Sequence, residues 1–290
     1  MQSQVKGKKI VVITDLDGTL LDQRTYSYES SLPAVQRLWT WRIPIVLCST
    51  KTRAEMLPLW RRLELRDPFI CESGGAIHVP PGYFPFTAIE MKRNGPFEVL
   101  ELGSDVHWLR ERLAQAARSC GVGVRSFASL SLDEINELTG LPKDQAFRAW
   151  QRQYDEPFVI ESGSAAHLIA ALQGCGLTVT RGDRFYHLTG GHGKGEAVRR
   201  LLDLYRRQWG EVVSVGLGNS ANDLQFLREV DRPVLVRNSD RSWDSEVIQS
   251  LPSVARTECV GPQGWREAIE KILAEIAEYK DSLPDGLGRR

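Results

Sequence analysis

The chain has no excess of charge of either sign: 37 Lys and Arg balance 37 Asp and Glu among 290 residues. Bulk electrostatics therefore gives no reason to expect a nucleic-acid or membrane-surface partner. The pairs Arg199/Arg200 and Arg206/Arg207 fall in a predicted helix and read as a solvated face rather than a phosphate patch. No apolar run reaches the about 20 residues that a membrane span requires. No secretory signal is read at the N-terminus, so the expected location is the cytoplasm. Cysteine is scarce, at Cys48, Cys71, Cys120, Cys175 and Cys259, with no CxxC spacing. An odd number among apolar neighbours predicts buried free thiols in a reducing cytosol rather than a disulfide framework. There is no long internal repeat, because the likeness between residues 67–74 and 156–163 is too short to mean duplication.

What the chain does have is an apolar run, residues 9–14, that ends abruptly in Asp15-Leu-Asp17-Gly18-Thr19. Continuous Ile and Val over so short a span predicts a strand buried on both faces of a parallel sheet. Ligands of open α/β sheets bind off the carboxyl ends of the strands, where these two acids stand. Their i, i+2 spacing puts both on one side of an extended chain, and Gly18 permits a tight turn. Two adjacent carboxylates repel unless a cation shares them, which predicts a hard divalent metal, Mg²⁺.

The hydrophobic fraction of 42% supports a sizeable core. A helix is expected over 31–41, a second buried strand over 43–48, a capping box at Thr52–Glu55 opening the next helix, and a third strand at 68–72. Near residue 80 the punctuation changes to Pro80, Pro81, Gly82 and Pro85. Beyond it, helices are expected at 105–119, 143–153 and 164–174, with strands at 97–102, 122–127, 157–161, 177–181 and 184–189. The α/β rhythm returns with a helix from Gly193, a strand at 212–218, a strand at 233–236 and an amphipathic helix over 263–280. The tail after Pro284 is expected to be loose. The fold class is α/β: a doubly wound, Rossmann-like parallel-sheet core over residues 1–83 and 191–290, with an inserted α+β domain over 84–190.

Four polar clusters follow core strands or open core helices: Asp15/Asp17, Ser49/Thr50, Lys194, and Asn219/Asn222/Asp223. They offer a carboxylate nucleophile, hydroxyl donors, an ammonium and a metal-binding acid. Phosphoryl transfer to an enzyme carboxylate needs that set, because an oxyanion must approach an anionic phosphate. Lys194 at a helix start opposes the helix dipole, which favours anions there, so a phosphate partner is expected. Lys51 and Arg53 are candidates for a substrate carboxylate. In the insert, Arg181, Arg184 and His187 are candidates for acidic or hydroxyl groups.

With these residues in hand, the sequence resembles the haloacid dehalogenase superfamily of phosphohydrolases. The insert then matches the α+β cap of its sugar-phosphatase branch. Residues 48–55, 69–77, 139–141 and 181–187 narrow the likeness to the mannosyl-3-phosphoglycerate phosphatase family, over residues 9 to 240. The resemblance implies that Asp15 is the nucleophile and Asp17 the proton donor and base. It implies that Ser49 and Lys194 hold phosphoryl oxygens, and that Asp15, Asp17, Asn219 and Asp223 surround Mg²⁺. Gly18, Thr50, Lys51, Arg53, Arg181, Arg184 and His187 make up the substrate side. The expected reaction is Mg²⁺-dependent hydrolysis of mannosyl-3-phosphoglycerate to mannosylglycerate, a compatible solute, through an aspartyl-phosphate. A phosphatase for another small phosphorylated sugar, such as the glucosyl analogue or a hexose phosphate, is the nearest alternative. The chain departs from the superfamily at Asn219, where an acid is usual, and at Ser73, where the family carries Asn. An amide at 219 still ligates through oxygen but adds no charge, which leaves a phospho-ligand-binding protein as the non-enzyme alternative.

Overall fold

The computed structural model describes residues 8–86, 90–181 and 185–281. Its strands are β1 (Lys9–Thr14), β2 (Ile45–Cys48), β3 (Phe69–Cys71), β4 (Ala76–Val79), β5 (Lys92–Asn94), β6 (Phe97–Glu101), β7 (Gly123–Ser126), β8 (Asp155–Ser162), β9 (Thr178–Arg181), β10 (Tyr186–Thr189), β11 (Val212–Gly218), β12 (Arg232–Arg237) and β13 (Ala255–Val260). The helices are α1 (Leu32–Thr40), α2 (Arg53–Arg62), α3 (Val106–Cys120), α4 (Leu132–Thr139), α5 (Lys143–Trp150), α6 (Ala165–Gly174), α7 (Lys194–Trp209), α8 (Leu224–Leu227), α9 (Ser245–Ser250) and α10 (Gln263–Asp281).

The large sheet has the order β13-β12-β11-β1-β2-β3-β4-β6-β5. From β13 to β3 neighbouring strands are parallel, and β4, β6 and β5 add antiparallel pairs. The chain leaves β1 to one side through β2 and β3 and returns on its other side through β11 and β12. β1 is therefore the topological switch point, where a crevice opens beyond the carboxyl ends. The apolar run of β1 is explained by burial on both faces. Ile10 and Val12 join the cluster under α1 and α10, and Val11 and Ile13 join the one under α7 and α8. Helix α2 opens on the capping box, with Thr52 accepting from the Glu55 N–H and the Glu55 carboxylate accepting from the Thr52 N–H.

A second, antiparallel sheet has the order β7-β8-β10-β9. α3 and α6 pack on one face around Phe158, Leu168 and Leu188. On the other face Phe127, Ile135, Ala149 and Phe185 form a separate cluster, and α5 there also meets α2 of the large-sheet layer.

Three expectations change. Residues 92–101, read as the start of the insert, pair onto β4 and extend the large sheet, because the alternating Phe97, Val99 side of β6 is buried against Phe69 and Trp60. The smaller sheet starts only at Gly123. Cys48 and Cys71 are buried free thiols, whereas Cys120 is half-buried and Cys175 and Cys259 are exposed, since the last two sit outside any packed face. The structure also adds β4, β5, β13, α4 and α9, each too short or too polar to stand out by periodicity. Arg184 and the tail beyond residue 281 lie outside the described residues. Among the described residues no helix is long and apolar enough to cross a membrane.

Candidate active site

The parallel register brings together the clusters that sequence kept up to 208 residues apart. β1 pairs with β2 and β11 along matched lengths, so Asp15, Ser49 and Asn219 emerge side by side at three carboxyl ends. Lys194, the first residue of α7, reaches in from above and is almost fully buried. Its Nζ donates to Asp15 Oδ1 at 2.9 Å and to Asp223 Oδ1 at 2.7 Å. Asp223 is fully buried, and its other oxygen accepts from the N–H groups of Asn219 and Ser220 at 3.0 and 3.2 Å. Asp17 is half-buried; its Oδ2 pairs with Lys51 Nζ at 2.9 Å.

Burial, and then the charge of Asp223, push the Asp15 carboxyl up to about 7 against the pull of Lys194. Burial opposes the charge on Lys194, but Asp15 and Asp223 outweigh it and hold the ammonium well above its ordinary range. Lys51 behaves likewise: burial lowers it, and Asp17 and Glu55 more than offset that. Burial pushes the neighbouring Cys48 thiol up to about 12, which removes it as a competing nucleophile.

Gly18 takes φ +75°, and a Cβ there would come within 2.8 Å of the Asn219 amide nitrogen and 2.3 Å of Gln23. The turn after Asp17 therefore tolerates only glycine. Asn219 Nδ2 donates to Asn238 Oδ1 at 2.8 Å, and Thr19 Oγ1 donates to Asn219 Oδ1 at 3.0 Å. The amide is thus fixed against the turn, its oxygen on Thr19 and its nitrogen beside Gly18 and on Asn238.

Hard oxygen donors fit a divalent cation such as Mg²⁺ here. Asp17 Oδ1 is buried without a hydrogen-bond partner among the described residues, and Asp15 feels two like charges, Asp223 and Asp17. Among the described residues no three His, Cys, Asp or Glu side chains form a metal-holding group by themselves. A cation here would need further oxygen donors besides these carboxylates, such as the Asn219 amide.

A cavity of about 320 Å³ opens beside this cluster, between the two sheets. Asp17, Thr50 and Lys51 line one wall, and Phe127, Arg152 and His187 the other. Arg152 was not foreseen from sequence. Its guanidinium is buried, donating to Thr50 O at 2.8 Å and to Asp155 Oδ2 at 2.9 Å. His187 Nδ1 shares that same Asp155 oxygen at 2.9 Å. Glu72 was also unforeseen: its buried carboxylate accepts N–H bonds from Gln153, Tyr154 and Asp155, tying the start of β8 to the large-sheet layer. The available signals were the Arg152–Asp155 spacing of three and the acid before Ser73-Gly74, neither specific enough alone. His192 is buried beside this seam with Nε2 at 3.2 Å from Glu72 O.

Two predicted substrate residues stand elsewhere. Arg53 Nη1 donates to Asn94 Oδ1 at 3.2 Å, and its guanidinium covers Phe97. It braces the sheet edge instead of lining the cavity. Arg181 is exposed on the edge strand β9, over the Tyr186 ring. Ser49 is buried at the end of β2, where its Oγ accepts from the Lys51 N–H at 3.2 Å.

A doubly wound core with paired carboxylates at its switch point and a second layer over them defines the hydrolases of the haloacid dehalogenase type. The profile of haloacid dehalogenase-like hydrolases matches residues 12–85. The crystal structure of such a hydrolase from Bacteroides thetaiotaomicron superposes with a TM-score of 0.61 at 18% identity, covering 91% of this chain and 100% of that one. The glucosyl-3-phosphoglycerate/mannosyl-3-phosphoglycerate phosphatase of Methanococcoides burtonii is 37% identical over 92% of this chain and 98% of its own length. That of Persephonella marina is 36% identical with the same coverage. The mannosyl-3-phosphoglycerate phosphatase of Pyrococcus furiosus is 36% identical over 85% of this chain and 98% of its own. This chain belongs to that family of haloacid dehalogenase-like phosphatases and is a phosphoric monoester hydrolase.

Proposed function

We propose that the protein hydrolyses mannosyl-3-phosphoglycerate and its glucosyl analogue to the glycosylglycerate and phosphate. The observation that carries the reading is the Asp15–Lys194–Asp223 cluster at the switch point, next to Asp17, whose side chain lines a cavity together with Lys51, Arg152 and His187. A substrate with one phosphate and one carboxylate matches one buried ammonium at the reacting end and cations beyond it. The breadth of the sugar follows from the relatives, two of which are named for both substrates.

Lys194 holds Asp15 Oδ1, which leaves Oδ2 to attack phosphorus. The new Asp15–phosphorus bond forms as the ester P–O bond breaks, and Asp17 gives its proton to the leaving oxygen. A carboxylate paired to an ammonium has no proton to give. Lys51 must therefore exchange Asp17 for a substrate anion as the substrate enters. Asp17 then takes a proton from the water that attacks the aspartyl-phosphate, which releases phosphate and restores Asp15. Bound Mg²⁺, held by Asp15, Asp17, Asn219 and Asp223, would neutralise charge on the phosphoryl oxygens. Ser49 completes the phosphoryl contacts. The layer from α3 to β10 serves as the cap: it excludes water and sets specificity.

Phosphate release from the mannosyl and glucosyl substrates and from hexose phosphates, each with Mg²⁺ and with EDTA, tests this. Release from the two glycosyl substrates that EDTA abolishes and Asp15→Asn eliminates is expected. Release from hexose phosphates alone would overturn the substrate, and an unchanged rate in Asp15→Asn would overturn the nucleophile.

A further inference from the structure

We propose that Tyr26, with the cavity beside it, is the platform on which the hexose ring of the substrate rests; this rests on the glycosyl-3-phosphoglycerate reading above. Tyr26 follows the Asp17 turn in a closed loop. Asp22 Oδ1 accepts from the N–H groups of Arg24 and Thr25 and from the Thr25 hydroxyl, at 3.0, 2.8 and 2.9 Å. The Tyr26 N–H donates back to Asp22 O, and the Asp22 N–H to Ser27 O. Within this loop Tyr26 is held at φ 56°, a left-handed conformation that is costly for a bulky residue and that persists only where its surroundings enforce it. The result is an aromatic ring left 43% exposed, part of no core cluster.

Two cavities meet at that ring. The one beside Asp17 is lined by the cationic side chains Lys51 and Arg152 and by the carboxylates of Asp17 and Glu55. The second, of about 500 Å³, shares Gln23, Tyr26, Thr139 and Leu141 with it and extends to Gln145. Among the described residues no carboxylate lines this second space. Its polar groups are mostly uncharged amides and a hydroxyl, with Arg24 at the margin. A pyranose has an apolar C–H face and a rim of hydroxyls, so an aromatic face bordered by Gln and Thr suits it. The placing of groups also suits the substrate. Lys51 Nζ lies 2.9 Å from Asp17 Oδ2 and 4.9 Å from the centre of the Tyr26 ring. In the substrate the carboxylate and the glycosidic oxygen both branch from the carbon next to the phosphate-bearing one, so a phosphate at the acid pair presents them together to the neighbouring Lys51 and Tyr26. A ring face does not read the configuration at one hydroxyl, which suits acceptance of both mannosyl and glucosyl groups.

The test compares wild type, Tyr26→Ala and Tyr26→Phe on both glycosyl substrates, with 3-phosphoglycerate, which lacks the hexose, as a competitive inhibitor. Tyr26→Ala is expected to raise KM for both glycosyl substrates about tenfold, equally for the two sugars, and to move the inhibition constant of 3-phosphoglycerate less than about threefold. Tyr26→Phe keeps the ring and should keep KM. Equal weakening of 3-phosphoglycerate would mean that Tyr26 only supports the loop, and damage in Tyr26→Phe equal to that in Tyr26→Ala would replace the ring with the hydroxyl; either overturns the platform. The wild-type rates judge the substrate separately. If only hexose phosphates are turned over, the same KM comparison on them, against p-nitrophenyl phosphate, decides whether the ring carries the sugar.

Discussion

Two charged clusters in the molecule are built in opposite ways. Asp15, Lys194 and Asp223 come from three distant segments, joined by strand register, with one ammonium bridging two buried carboxylates. Arg152, Asp155 and His187 come from one short stretch and its paired strand, with one carboxylate bridging a guanidinium and an imidazole. The first cluster is a net anion beside a hydroxyl and an amide, suited to a metal and to attack. The second sets one guanidinium and one imidazole around a single carboxylate, with the Arg152 and His187 side chains on the cavity wall. The difference teaches that chemistry here sits on the rigid sheet, where position is set by many backbone bonds. The second cluster sits on the smaller layer, tied to the sheet through Arg152 on Thr50 O and Glu72 on the residue 153–155 amides.

The comparison breaks most sharply at Lys194. Lys194→Ala leaves Asp15 and Asp223 buried against each other without their shared cation, so a loss of about 3–5 kcal/mol is expected in urea unfolding, together with loss of phosphate release. Mg²⁺ should restore part of the stability, and a wild-type midpoint without metal would refute the assigned pairing.

The seam between the clusters gives the next effect. Burial pushes Glu72 up from 4.5 to about 7, with Arg152 opposing. Between those values the folded protein keeps a proton that the unfolded chain has released. Stability should therefore be fullest below 4.5, fall by up to about 1.4 kcal/mol per pH unit up to about 7, and be level above. Relative to Glu72→Gln, the wild type should lose ground across that window in parallel urea titrations. A constant difference would contradict the protonation of Glu72.

A smaller effect is expected from Asp155→Asn, which frees both Arg152 and His187 from their common partner. KM for the glycosyl substrates should rise about tenfold with kcat changed far less, because the variant misplaces binding groups and not the nucleophile. A loss confined to kcat would move Asp155 to the reacting side. The smallest effect belongs to Arg53→Ala, since its guanidinium is committed to Asn94 and Phe97. KM should change less than about twofold, the ordinary scale for a side chain outside the site; a large rise would return Arg53 to the substrate.

Much of the core was legible because its signals are local and strong. β1 ends in the Asp pair at once, the Thr52–Glu55 capping box formed as spaced, α7 starts within a residue of its expected start and β11 matches its expected bounds. Lys194 was readable as misplaced for its helix dipole, and the structure supplies the two acids that offset it. β5 and β13 were not legible, since edge strands carry polar residues and lack the unbroken apolar run of β1. Arg152 and Glu72 were missed for a related reason: each is an ordinary charged residue whose role depends on backbone groups far away in sequence, Thr50 O for one and the residue 153–155 amides for the other.

Sequence alone determined the α/β class, the strand ends that carry Asp15, Ser49 and Asn219, and a tight turn at Gly18. Those features depend on periodicity, hydrophobicity and backbone freedom, which neighbouring residues set among themselves. Tertiary structure alone decided that 92–101 extend the large sheet, that Arg53 and Arg181 face away, and that Arg152, His187 and Tyr26 surround one cavity. A side chain's direction is chosen by the partner that satisfies its charge or covers its ring. That partner is brought near only when distant strands pair.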